Sequence, residues 1–473
     1  MCNIYIDFYI EDYLFLIHIN SLCAQTINIW LLFLAFYLFS CNFAANDISM
    51  RILIVNTSEK TGGAAVAANR LKDALNNSGV KAKMLVRDKL TDDITVVSLG
   101  HEWRNQWNLL WERFCVYWNL NFSRNHLFEI DLANTGTDIT KLREFKEADI
   151  IHLSWINQGM LSLKGIRKIL DSGKPVVWTM HDIWPATGIC HITLNCLRYQ
   201  SACGNCRLLP NGGSTNDLSH RVLERKKKML EGRNVMFVTC SKWLEKEARK
   251  SAILAGQQVR SIPNPIDTHV FHPADSKQAR IKTGLPLNKK IILFASQRVT
   301  NVNKGISYLV EACHQLATKY PEMVDNTAVA ILGGHAEDLR EEFDFEVCEL
   351  GYVNDTQQIV DVYNACDVFV LPSLSENLPN TIMEAMACGV PSIGFKVGGI
   401  PEMIDHRVNG YVAAERSADD LARGIRWILD EADYAALSEA SVGKVLRCYS
   451  QRSVAMRYLE VYNEALAYKN FRL

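Results

Sequence analysis

The sequence predicts an α/β protein: two doubly wound parallel sheets facing one central cleft, with a C-terminal helix crossing back over their junction. Three observations carry this. From Met50 onward short apolar runs alternate with helical periods, the pattern of consecutive βαβ units. A proline-punctuated stretch at 262–273, with Pro263, Pro265 and Pro273, interrupts the pattern before it restarts at Ile291. The length of 473 residues, with 48% apolar and 22% charged residues, supplies two or three domains with sizeable cores. A single small module, a disordered chain and a fibre are thereby excluded. The 51 Lys and Arg against 52 Asp and Glu give a net charge of -1, so there is no global electrostatic footprint for nucleic acid. Any anion site has to be local.

Residues 1–49 stand apart, with no Lys or Arg and an apolar run over 29–39. A secretory signal would carry a basic n-region, and a spanning helix would need about 18 to 20 apolar residues. The segment reads as an extension upstream of a native start at Met50, the alternative being a genuine anchor or an uncleaved signal. Residues 50–265 form the first domain, with strands expected over 52–55, 83–86, 150–153, 176–180 and 235–238, and helices over 64–75, 161–170 and 243–252. Residues 266–450 form the second, with strands over 291–295, 328–332, 367–371 and 391–394 separated by helices over 305–318, 356–364 and 381–387. In residues 451–473 the spacing of Val454, Leu459, Val461 and Leu466 predicts the terminal helix.

Open α/β sheets bind ligands beyond the carboxyl ends of their strands, so the chemistry is sought there. The richest segment is 371–391, a strand end, a loop and a helix opening near Asn380. It holds Glu376 at the loop mouth and Glu384 inside the helix, both expected to face the cleft. Carboxylates suit paired sugar hydroxyls. The backbone N–H groups of Leu378 to Ile382, in Asn377-Leu378-Pro379-Asn380, would point from the helix N-terminus at a diphosphate.

The Glu-x7-Glu segment, Ala385-Met386-Ala387-x-Gly389, Gly398-Gly399-Ile400-Pro401-Glu402 and Asn409-Gly410 resemble the retaining glycosyltransferases of family 4, which have the GT-B fold of two Rossmann-like domains. The likeness extends through most of residues 50–473. It implies that Glu384 binds the ribose hydroxyls of a nucleotide and that Glu376 contacts the donor sugar. After the strand at 291–295, Arg298 and Lys304 match the family's Arg and Lys. Those two cations would neutralise the leaving diphosphate in place of a metal ion, so no cofactor is needed for catalysis. Gln297 departs from the small residue that commonly precedes the Arg. The Gly62-Gly63 turn resembles the first loop that closes on the diphosphate. His181 follows the strand over 176–180, and the resemblance makes it a sugar-positioning residue, with Asp182 beside it. Tyr352, after Gly351, is a base contact or a half-buried packing residue.

Fourteen cysteines spread over a long chain, many inside apolar elements, read as reduced core residues of a cytosolic protein. Cys190, Cys196, Cys203 and Cys206 are the exception, four thiols within 17 residues. They are read as a structural zinc site, with free thiols or a disulfide as alternatives. The basic stretches at 221–230 and 242–250 are either solvated faces or a dock for an anionic membrane surface. Together these readings describe a cytoplasmic enzyme, peripheral at the inner face of the membrane, moving a hexose from a UDP- or GDP-sugar to a glycan or lipid-linked glycan in surface polysaccharide biosynthesis. The alternatives are a nucleotide-sugar-binding GT-B protein without catalysis and a nucleotide-sugar epimerase.

Overall fold

In the computed structural model, residues 50–334 and 337–470 are described. Seven parallel strands make the first sheet: β1 Arg51–Ser58, β2 Lys81–Asp88, β3 Val96–Ser98, β4 Ile150–Leu153, β5 Val176–Met180, β6 Met236–Thr239 and β7 Gln258–Ser261, in the order β3-β2-β1-β4-β5-β6-β7. Six make the second: β8 Lys290–Arg298, β9 Thr327–Gly334, β10 Glu346–Gly351, β11 Val368–Leu371, β12 Ser392–Phe395 and β13 Gly410–Ala413, in the order β10-β9-β8-β11-β12-β13. The strand order reverses between β1 and β4 and between β8 and β11, and such switch points are where doubly wound sheets leave a crevice.

Continuous apolar runs are the signature of parallel strands covered on both faces. Ile54, Val55, Ile291 to Phe294 and Val368 to Leu371 are wholly buried, which is why these strands lack an alternating pattern. The register Ile52 to Ile150 and Val368 to Ile292 aligns the central strands so that their carboxyl ends finish at one level in each sheet.

The terminal helix Gln451–Asn470 returns to the first sheet, where Val454, Ala455, Tyr458, Val461, Tyr462 and Ala465 pack against Ile52, Ile54 and Val177. A polar knot fixes its angle. The Tyr462 hydroxyl lies 2.5 Å from His152 Nδ1, His152 Nε2 lies 2.8 Å from Thr179 Oγ1, and Thr179 lies 2.9 Å from the Tyr458 hydroxyl. Burial pushes the His152 imidazole down to about 3, so it stays neutral inside the knot.

The helix Glu102–Asn119 does not belong to the expected elements, and its orientation explains why. Asn105, Asn108, Glu112 and Arg113 are buried, while Trp103, Trp107, Trp111, Phe114 and Trp118 are exposed. Residues 1–49 lie outside the described residues, and with them the reading of the N-terminal extension. Among the described residues no helix is long and apolar enough to cross a membrane.

Candidate active site

Strand ends of both sheets deliver side chains to one cleft of about 440 Å³. Gly63 and Ala64 come from the turn after β1, Trp155 from β4, His181 and Asp182 from β5, Ser296 to Arg298 and Lys304 from β8, and Glu376 to Thr381 from β11. Of the residues singled out in the sequence, Gly63, His181, Arg298, Lys304, Glu376 and Asn377 to Asn380 are brought together around it. Gly62 stands just behind it as the residue before the Gly63–Asn77 helix, with φ +90°, a left-handed conformation that glycine adopts freely.

The β11 loop is tied to the first domain. Asn377 Nδ2 donates to the His181 carbonyl at 3.0 Å, and its Oδ1 accepts from Ser241 Oγ at 2.6 Å. Asn380 Nδ2 donates to the Gly63 carbonyl at 3.1 Å, and Asn264 Nδ2 donates to Asn380 Oδ1 at 3.0 Å. Pro379 precedes the first turn of the helix Asn380–Ala387, whose leading N–H groups have no partner within the helix. Leu378 is buried beneath the loop and holds it down.

Charge is distributed unevenly across the cleft. Lys304 Nζ donates to Glu376 Oε1 at 2.5 Å, whereas the exposed Arg298 forms no ion pair among the described residues. His181 is held from both sides, Nε2 lying 2.9 Å from Ser154 Oγ and Nδ1 3.5 Å from Cys240 Sγ. Burial pushes its imidazole down to about 4, so the ring meets the cleft neutral. Burial would raise the Asp182 carboxyl, but the neighbouring His191 and the hydrogen bonds from Trp184 and Trp155 outweigh it and hold the group below the usual range. Asp182 Oδ2 accepts from Trp155 Nε1 at 2.9 Å and lies 2.8 Å from His191 Nδ1, and His191 Nε2 lies 2.7 Å from Asp131.

Three expectations meet a different geometry. Glu384 lies outside the 440 Å³ space: its Oε1 accepts from Arg70 Nη2 at 2.6 Å and its Oε2 from the Tyr363 hydroxyl at 2.9 Å, so the carboxylate is engaged by protein groups. Arg70 comes from the opposite domain, 314 residues away, and no local spacing announces it. Tyr352 is 55% exposed and lies away from the cleft, because β10 is an edge strand remote from the switch point. The zinc reading of Cys190, Cys196, Cys203 and Cys206 finds no support, since among the described residues no group of three or more His, Cys, Asp or Glu is placed to hold a metal ion. Their loop is held instead by Asp217, which accepts from the N–H groups of Cys206, Ser214 and His220, while burial pushes the thiols of Cys190 and Cys203 up to about 12 and about 11.

Sequence reasoning missed the Asp131–His191 pair and Lys226. Lys226 is interior, with Nζ donating to the carbonyls of Trp184 and Thr187 at 2.6 and 2.9 Å over the Trp184 ring, so it pins the segment that follows Asp182. Along the same basic stretches Lys227, Arg249 and Lys250 are paired with Glu224, Glu245 and Glu247. The 221–250 region therefore offers less free charge than its composition suggests.

The pattern of group 1 glycosyl transferases matches residues 275–441, and that of glycosyltransferase family 4 matches residues 61–270. The chain belongs to the group 1 glycosyltransferases. A D-inositol 3-phosphate glycosyltransferase of Saccharomonospora viridis is 28% identical over 225 residues, 45% of this chain and 52% of that protein. An uncharacterized glycosyltransferase of Methanocaldococcus jannaschii is 30% identical over 242 residues, 48% of this chain and 60% of that protein. The chain spans about half the length of the curated relatives it matches. Among solved structures, sucrose-phosphate synthase from Thermosynechococcus elongatus has a TM-score of 0.60 at 19% identity, covering 88% of this chain and 99% of that one. Anabaena HepE in complex with UDP-glucose has a TM-score of 0.56 at 17% identity, covering 88% and 100%. Both likenesses show the fold: two Rossmann-like α/β domains in the GT-B arrangement.

Proposed function

We propose that this glycosyltransferase moves a hexose from a nucleoside diphosphate sugar to a glycan or lipid-linked glycan, with retention at the anomeric carbon, in the assembly of a surface polysaccharide. The observation that carries the proposal is the convergence in one cleft of Arg298, Lys304, a helix N-terminus, His181 and Glu376, all from strand ends. A free guanidinium, an ammonium and unpartnered N–H groups suit a diphosphate whose charge grows as it leaves. In this reading Lys304 exchanges part of its contact with Glu376 for the leaving phosphate, and Glu376 turns to the sugar hydroxyls. Neutral His181, fixed by Ser154 and Cys240, donates to or accepts from the sugar without adding charge.

A second space of about 670 Å³ shares His181, Asp182, Glu376 and Asn377 with the first and continues between Trp243 and Arg416. It suits the acceptor, whose hydroxyl would approach the same face that the diphosphate leaves, the departing oxygen taking the proton. No protein nucleophile is invoked, and the protein's work is positioning and charge stabilisation. Glu384, with Gly62 and Gly63, remains assigned to the nucleotide side, and the ribose would have to displace Arg70 from it. The complexes of HepE with UDP and UDP-glucose support a uridine donor. The 11 free cysteines among the described residues support a reducing, cytoplasmic setting, and a lipid-linked acceptor would place the enzyme at the inner face of a membrane.

The test is the anomeric configuration of the first product, followed by proton NMR with UDP-glucose and an oligosaccharide or polyprenyl-linked acceptor. Retention of the α-anomer is expected. A β-linked first product would overturn the mechanism, and tight UDP-glucose binding without turnover would favour a binding protein.

A further inference from the structure

The helix Glu102–Asn119 is inverted relative to an ordinary surface helix. Its inner face is polar: Glu112 Oε1 accepts from the N–H groups of Leu132 and Ala133 at 3.0 and 2.7 Å, and Oε2 accepts from Gly159 N–H at 2.6 Å. Arg113 beside it pairs with buried Asp131. Its outer face carries Trp103, Trp107, Leu110, Trp111, Phe114 and Trp118, between 45 and 74% exposed. The rings form a continuous ladder, with centroids 6.5 Å apart from Trp107 to Trp111, 5.8 Å to Phe114, 6.2 Å to Trp118 and 5.2 Å on to Phe122. Folding normally buries such residues. A contiguous exposed patch of this kind marks an interaction surface.

We infer that this aromatic face docks on an anionic lipid bilayer, the helix lying flat in the interface. Four features favour lipid over a protein groove. Four of the outer side chains are tryptophans, the residue enriched where hydrocarbon meets headgroups, because the ring is apolar and the indole N–H can reach water or phosphate. None of those four indoles donates to a protein acceptor among the described residues. Arg104 and Arg124, near the two ends of the ladder, are exposed and form no ion pair among the described residues, and of the two acidic residues in the helix Glu112 is buried and only Glu102, at its N-terminus, is exposed. Apolar stripe and flanking cations together form an amphipathic surface complementary to anionic headgroups. An 18-residue helix is also about 27 Å long, enough to present every ring along a planar surface at once.

The inner face connects this dock to the cleft. Arg113 holds Asp131, Asp131 holds His191, and His191 holds Asp182, which lines both the donor and the acceptor spaces. Bilayer docking would therefore seat the acceptor chamber at the membrane surface, where a lipid-linked glycan presents its sugar. The inference deepens the peripheral placement proposed above and rests on that reading only for the acceptor; the surface itself stands on the helix.

The test is flotation of the full chain with vesicles of phosphatidylglycerol and phosphatidylcholine, beside a Trp107→Ser/Trp111→Ser/Trp118→Ser variant and an Arg104→Ser/Arg124→Ser variant. The first variant should lose vesicle binding by about tenfold or more, and the second should lose the preference for phosphatidylglycerol and its salt sensitivity. Independently of any variant, brominated phospholipid should quench the tryptophan fluorescence of the unaltered protein. Equal binding of all three proteins would place any dock elsewhere, for instance in residues 1–49, and would overturn the inference. So would a dimer in sedimentation equilibrium that the tryptophan substitutions dissolve, since the face would then be a self-association seam. Release of nucleoside diphosphate by the unaltered protein without vesicles reads the transferase proposal separately, so failure of one can be told from failure of the other.

Discussion

Lys304→Met separates a catalytic cation from a structural one. Its ammonium lies 2.5 Å from Glu376, with the two side chains 31 and 13% exposed, so as an ion pair near solvent it contributes only about 0.5 to 1 kcal/mol to stability. Contact with a diphosphate whose charge grows in a closing cleft is a charge-assisted interaction worth about 2 to 3 kcal/mol in the transition state. Converted at 1.4 kcal/mol per decade, kcat should fall about 30- to 150-fold. The melting temperature should move by less than about 2 °C. The assay is coupled release of nucleoside diphosphate at saturating donor, with Glu376→Gln and the double variant completing a cycle. If Lys304 serves only to orient Glu376, the double variant will be no worse than Glu376→Gln; if it also meets the phosphate, the losses will largely add. A Lys304→Met enzyme within about threefold of the parent would refute the reasoning.

Three further outcomes follow from the same packing. Tyr462→Phe leaves His152 Nδ1 buried without its partner and should destabilise the fold by about 1 to 3 kcal/mol, read from urea midpoints. His152 and His181 are held at about 3 and about 4, below the ordinary 6.5, so the unfolded chain binds more protons between those values. Stability should accordingly be complete above about pH 6.5 and fall by about 1.4 kcal/mol per pH unit per histidine as pH drops toward 4, and a urea midpoint unchanged between pH 7 and 5 would contradict it. Gly159 has φ +77°, and a Cβ there would lie 2.7 Å from the backbone of Asn108, so Gly159→Ala should cost about 2 to 3 kcal/mol and loosen the Glu112 anchor, measured by thermal denaturation.

What the sequence made legible follows from how each element is buried. The central strands β1, β5, β8 and β11 are apolar on both faces, so their runs stand out without any alignment, and the residues after them fall at the cleft by topology alone. The edge strand β3 is three residues long and β7 is polar, Gln-Val-Arg-Ser, so neither gives a run to read. The Glu102–Asn119 helix does carry a helical stripe, with aromatic residues at 103, 107, 111, 114 and 118, but its sense is reversed, and only the buried Asn108 and Glu112 reveal which face is inside. The helix that carries Glu384 is legible but its partner is not, since the guanidinium that meets it comes from another domain. A separation of 60 residues likewise hid Asp131 from His191, whose pairing is set by tertiary structure.

The central claim is that Arg298, Lys304 and the β11 loop bind the diphosphate of a nucleotide sugar for transfer. It is tested most directly by nucleoside diphosphate release from UDP-, GDP- and ADP-sugars, supplied with a polyprenyl-linked acceptor, by the unaltered chain and by Arg298→Ala. One donor should turn over, and Arg298→Ala should lose about 30-fold or more of kcat/KM for it. Equal release by both proteins, or none by the unaltered chain with any donor, would contradict the account.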